Sequence, residues 1–138
     1  MIKLLTNNHM NSCLTIMNIP YKRNRSYIIL NDYKSLKLNE FKQQLSYSHA
    51  IQFINDLVFQ IKCIQKTDFC LISQDIVYTN NTFLIIKFDR DDVEINGIYR
   101  NIAYLTLESM GCTLKDLENT KLYYTLERCI QYNKFIYV

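Results

Sequence analysis

Apolar residues recur at Ala50, Ile51, Ile54, Leu57, Val58, Ile61 and Ile64. This three-and-four spacing is one stripe on an α-helix, and it predicts a core-facing helix with Gln52, Asn55, Gln60 and Lys62 on its solvated side. Ser48 stands where an N-cap hydroxyl is needed. The polar side is not basic, which argues against a helix lying on a membrane surface. From Ile76 the pattern changes. Ile76-Val77-Tyr78 and Thr82 to Phe88 read as two strands separated by Thr79-Asn80-Asn81, where asparagine tolerates left-handed turn geometry. Phe83 to Ile86 is apolar on successive residues, which predicts a strand covered on both faces. Leu71-Ile72 reads as a short β-bridge, and Asp89-Arg90-Asp91-Asp92 as a charged turn.

The remaining segments are shorter. Residues 2–5 and 13–19 are β-prone or ambiguous, and Pro20 ends the second because it cannot donate to a sheet ladder. Tyr27 to Leu30 is β-branched and aromatic, a strand bounded by the Asn31-Asp32 turn signal. Leu38, Phe41 and Leu45 predict a short amphipathic helix from Leu36 to Leu45. Beyond Gly97, a helix carrying Ile98, Ile102, Leu105 and Met110 is ended by Gly111 as a left-handed cap. Thr113 with Asp116 resembles the capping arrangement of a short turn, and Thr120 caps a last helix bearing Leu122, Leu126, Cys129 and Ile130. Phe135 to Val138 either finishes that helix or pairs as a strand. The order describes α+β segregation: a single, mainly helical domain with a small β-hairpin and no internal boundary.

Composition narrows the functional classes. The 138 residues are 49% hydrophobic and 21% charged, enough for one core without covalent staples. Two glycines and one proline leave no material for a glycine-rich phosphate cradle or a flexible linker. A net charge of +3 argues against a nucleic-acid partner, which needs a concentrated basic face. The one local basic cluster is Lys22, Arg23 and Arg25; a solvated loop is its leading reading and a phosphate-binding patch the alternative. Five cysteines, an odd number without a CxxC pair, argue against zinc and against a disulfide framework. Cys63 and Cys129 fall at or beside apolar helix faces, so buried free thiols and a reducing, intracellular compartment are expected. No secretory pattern opens the sequence, and no apolar run approaches a membrane span. Asn24-Arg25-Ser26 and Asn80-Asn81-Thr82 match the glycosylation triplet, a frequent chance match. His9 and His49 lack a neighbouring acid or cysteine in sequence, so surface or capping roles are favoured over catalysis. The eleven tyrosines are scattered without basic interleaving, which favours packing and interface roles over base stacking.

The segment order resembles the C-terminal lobe of protein kinases. Tyr27-Ile28-Ile29-Leu30-Asn31-Asp32-Tyr33 resembles the strand entering the kinase hinge, and Ser35 to Phe41 the opening of the helix after it. Residues 48–66 correspond to the long central helix of that lobe. The hairpin Asp75 to Tyr78 and Phe83 to Asp89 is similar to the strands linking the catalytic loop to the metal-binding aspartate. Asn101 to Glu108 resembles a later helix. Thr120-Lys121-Leu122-Tyr123-Tyr124-Thr125-Leu126-Glu127-Arg128-Cys129-Ile130 is similar to an ending found in kinase-like proteins of large DNA viruses. The resemblance covers residues 27–134, with residues 1–26 as short N-terminal strands or an arm. Heavy use of Asn, Ile, Lys and Tyr fits an A+T-rich genome, whether of a DNA virus, a protist or an organelle.

The departures from that pattern bear on chemistry. Kinases need a glycine-rich loop and a phosphate-clamping lysine; the 26 residues before Tyr27 contain no glycine, so that lobe is expected to be absent or vestigial. The HRD tripeptide is missing, the equivalent stretch reading Cys70-Leu71-Ile72-Ser73-Gln74-Asp75, and no base is placed to accept a hydroxyl proton. The resemblance puts Asp75 where a loop asparagine binds metal and Asp89 where the DFG aspartate does, but Arg90 follows Asp89 instead of Phe-Gly. The favoured reading makes Asp75 a turn residue and Asp89 a solvated acid; the alternative has the two hold one magnesium ion with ATP. The expected function is a non-catalytic protein-interaction or structural module, a pseudokinase-like viral lobe that self-associates or binds a stable protein partner. The alternatives are residual nucleotide–magnesium binding with weak phosphotransfer, and nucleic-acid binding through Lys22, Arg23 and Arg25.

Overall fold

The stripe through Leu57 folds as helix α1, Tyr47–Ile64, in the computed structural model, which describes residues 2–5, 13–23, 27–30, 36–94 and 96–135. Its N-cap is Ser46, not Ser48: the Ser46 hydroxyl accepts from His49 N at 3.2 Å, leaving Ser48 inside the first turn. Ser46 has the extended backbone an N-cap requires, which decides between two serines so close in sequence. The helix stops where Gln65 turns left-handed. Ala50, Phe53, Ile54, Leu57, Val58, Ile61 and Ile64 are buried on it, whereas Ile51 is 36% exposed. Each fully buried residue of this kind contributes about 1.5–3 kcal/mol.

Two small antiparallel sheets flank the helices. In the first, β1 (Ile2–Leu5) and β2 (Tyr21–Arg23) pair on either side of β3 (Tyr27–Leu30). In the second, β4 (Leu36–Lys37), β5 (Ile76–Thr79) and β6 (Thr82–Ile85) lie in that order. Asn80 and Asn81 both take positive φ, 51° and 57°, as the tight turn of the β5–β6 hairpin demands. Phe83, Leu84 and Ile85 are all buried, so the expected two-sided burial holds for these three, whereas Ile86 is half-buried and β6 stops at Ile85, short of both Ile86 and Phe88. The helix expected from Leu36 to Leu45 does not form. Leu36 and Lys37 pair with Tyr78 and Val77, which removes the first turn, and only a 3-10 turn over Leu38–Phe41 remains. Left-handed Lys42 and Gln43 then stop it. Leu71-Ile72 forms no bridge either; its backbone is held by a side chain, described below.

Helix α2 (Ile98–Met110) ends at left-handed Gly111, and α3 (Lys121–Tyr132) is capped by the Thr120 hydroxyl accepting from Tyr123 N at 3.2 Å. Between them Asp116 accepts from Thr113 N and Oγ1 at 2.8 and 3.0 Å, contacts that hold its carboxyl below the usual range. The last helix stops at left-handed Asn133 and does not continue through Phe135; residues 136–138 lie outside the described residues. Residues 13–16 are helical and are followed by Asn18 at positive φ. One continuous core joins both sheets and all these helices, an α+β arrangement. Cys13, Cys70 and Cys129 are buried, and all five thiols are free. Burial pushes the Cys129 thiol up to about 11. Among the described residues no helix is long and apolar enough to cross a membrane.

Candidate functional site

Asp75 closes a 3-10 turn, Ser73–Asp75, and leads directly into β5. Its backbone carbonyl accepts from Ile86 N at 2.8 Å, which extends the hairpin ladder past the end of β6. The carboxylate turns inward and is only 3% exposed. Such a charge needs a partner. Arg90 supplies it in a two-point contact, Nε to Oδ2 at 2.8 Å and Nη2 to Oδ1 at 3.2 Å, while Ile72 N donates to Oδ2 at 3.1 Å. The remaining guanidinium nitrogen reaches Asp92 at 3.2 and 3.3 Å. Contact with Asp75 drives the Arg90 pKa still higher, so this guanidinium is a permanent cation.

The backbone around Arg90 is fixed as firmly as its side chain. Cys70 N and Sγ both donate to the Arg90 carbonyl, at 2.9 and 3.2 Å, and Phe69 meets Phe88 edge-on at 5.6 Å. Beside this strap lies a cavity of about 320 Å³ whose lining includes Asp68, Cys70, Arg90, Asp91 and Gly97. Asp89 is exposed, and the residue that reaches Asp75 is its neighbour Arg90. Asp75 is thus a turn residue before a strand, with both oxygens engaged by protein donors. Among the described residues no group of three or more His, Cys, Asp or Glu side chains could hold a metal ion.

The other candidates disperse. Lys22 and Arg23 are exposed on β2, in the sheet that does not contain the hairpin, and Arg25 and His9 lie outside the described residues. His49 packs among rings, with centroids 5.6 Å from Tyr78, 6.1 Å from Phe41 and 6.2 Å from Phe83.

The sequence reading missed four polar side chains that hold the hairpin and helices in place. Gln60, assigned to the solvated side of α1, is fully buried. Its Oε1 accepts from Ile85 N at 2.8 Å and its Nε2 donates to the Phe83 carbonyl at 2.7 Å, the pattern of a neighbouring strand. One turn earlier, Asp56 accepts from Phe83 N at 3.0 Å and from Gln52 Nε2 at 3.2 Å. Burial raises the Asp56 pKa against the lowering effect of those bonds. Helix α1 therefore closes the free edge of β6 with side chains. Asn101, 1% exposed, does the same for Leu71, accepting from its N at 2.6 Å and donating to its carbonyl at 3.0 Å. Asn133 Oδ1 accepts from Tyr99 N and Arg100 N at 3.0 and 3.1 Å, capping α2 from beyond the end of α3. The available signal was Gln52, Asp56 and Gln60 at four-residue spacing, one polar line along a helix whose partner is a hairpin.

Fold and site together define an α+β domain whose buried carboxylate is neutralised from within. Compared with known proteins, the chain matches no family model, no curated protein and no solved structure.

Proposed function

We propose that the chain is a non-catalytic protein-interaction module, a reduced kinase-like lobe of the pseudokinase kind, as the resemblance to proteins of large DNA viruses implies. The observation that carries this reading is the Asp75–Arg90 pair. In the kinase pattern Asp75 takes a metal-binding position, and here both its oxygens are committed to Arg90 and Ile72 N. Magnesium demands near-octahedral oxygen ligation and gives up water reluctantly. A fixed guanidinium already in contact with the carboxylate opposes a second cation. Without a phosphate clamp or a positioned base, phosphoryl transfer lacks the positioning and charge stabilisation that carry it. The hairpin laid on α1 and closed by Gln60 gives the lobe its frame.

A binding role draws support from the surface. Ile16, Tyr104, Tyr124 and Tyr132 are 64%, 48%, 55% and 66% exposed, apolar and aromatic groups open to a partner. Thermal unfolding with ATP and magnesium tests the reading. A nucleotide at one hundred times its Kd adds about 2.7 kcal/mol of stability; no shift is expected. A rise in Tm that Asp89→Ala removes would overturn the proposal.

A further inference from the structure

Helices α1 and α3 do not close on each other along their whole length. Between them runs a groove of about 260 Å³, lined by Ile51, Ile54 and Asn55 from α1, Leu122 and Thr125 from α3, and Phe135. One end is held shut by Leu122 N donating to the Tyr47 hydroxyl at 3.4 Å. A cavity of roughly 150 Å³ already takes a benzene-sized group, so this groove has room for an aromatic side chain and an aliphatic neighbour. Lys121 lines it, and Arg128 and Tyr132 follow on the same edge of α3, seven and four residues further on. All three are exposed, and among the described residues no carboxylate lines the groove.

We infer that this groove is the docking site for a short acidic, amphipathic segment of a partner protein. Its apolar side chains enter between Ile51 and Thr125, and its carboxylates lie along Lys121 and Arg128. The inference rests on the proposed interaction role and adds the chemistry of the partner. Charge complementarity selects it: an apolar slot alone accepts any hydrophobe, whereas a slot whose one charged lining residue is Lys121, with Arg128 two turns further along the same edge, discriminates by sign. A slot with room for one or two side chains anchors a short segment rather than a whole domain face, so a single helix laid in a groove is the fitting mode.

Fluorescence anisotropy with two labelled helical peptides tests this. Both carry Leu and Phe on one face; one has glutamates flanking that face and the other lysines. The glutamate peptide is expected to bind and the lysine peptide to bind ~10-fold more weakly or not at all. Ile51→Glu, at an exposed position, should weaken the glutamate peptide at least ~10-fold. The double variant Lys121→Glu, Arg128→Glu should reverse the preference, with helix content checked by circular dichroism. Equal binding of both peptides, no binding, or indifference to Ile51→Glu overturns the inference. So does sedimentation showing a dimer that Ile51→Glu dissolves, since a second copy would then fill the groove. Each of these leaves the non-catalytic reading intact, because that reading stands or falls on the ATP–magnesium response.

Discussion

Helix α1 meets its two neighbours in opposite ways. Toward β6 it presents Asp56 and the fully buried Gln60, and every exposed edge group they reach is hydrogen-bonded. Toward α3 it presents Ile51 and Asn55 across a gap with Lys121 on the far rim. The first contact is complete and has nothing left for a ligand. The second leaves Ile51 36% exposed on the groove wall, although Ile54 and Leu122 beside it are buried. The same division separates Asp75, whose charge is answered within the chain, from Tyr124 and Tyr132 on α3, which are more than half exposed. On the proposed reading, the incompletely covered surface is a better guide to function than the chemistry-bearing residues.

The largest expected effect comes from opening the complete contact. Gln60→Ala strands Phe83 O and Ile85 N in the core and should cost about 2–6 kcal/mol, at 1–3 kcal/mol for each buried group left unpaired. The midpoint of urea unfolding measures it; a loss under about 0.5 kcal/mol would mean that the edge is not held this way.

Next comes the α2 start. Gly97 has φ of +113° and the Asn133 side chain occupies the space a Cβ would need. Gly97→Ala should cost about 2 kcal/mol through strain at a glycine-only conformation. Asn133→Ala relieves the contact but uncaps two amides, so the double variant should recover part of the loss without reaching wild-type stability. Full additivity of the two substitutions would contradict the packing described.

A smaller, pH-dependent effect belongs to Asp56. Its folded pKa is raised above the ordinary 3.8, chiefly by burial, so the native state holds the proton more tightly than the unfolded chain. Stability from this group is complete below 3.8 and declines as pH rises through the raised value. Asp56→Asn keeps an acceptor for Phe83 N and removes that decline. The wild-type chain should therefore lose ground against Asp56→Asn between acid and neutral pH in urea titrations; ground gained would reverse the assignment. Asp116 has the opposite sign, its lowered pKa supporting the fold above 3.8 and losing that support on acidification. The smallest effect is expected in the groove, where Ile51→Ala should change stability within about 0.5 kcal/mol, because the residue is already partly solvated.

Local rules made much of this fold legible. The stripe from Ala50 to Ile64, Ile51 apart, the Asn80-Asn81 turn, the Gly111 stop and the Thr120 cap each depend on neighbours in sequence, and each is found where the pattern put it. Leu36 and Lys37 were misread because their fate depends on Val77 and Tyr78, some forty residues away. Gln60 was misread for the same reason: polarity places a residue in water only when no distant backbone edge needs it. At the candidate site, the turn role of Asp75 was legible from its position before a strand. Its pairing with Arg90 was not, since that contact depends on where the chain goes after β6.

The side-chain seal on β6 bears on how this chain avoids fibrils. A bare strand edge invites a like strand from another molecule, and the opposite margin of the ribbon is only two residues long at Leu36–Lys37. Heat or substitution that lifts α1 off the hairpin would uncover an adhesive border. Aggregation should then accompany the loss of the α1–hairpin contact, as light scattering during a thermal ramp would show.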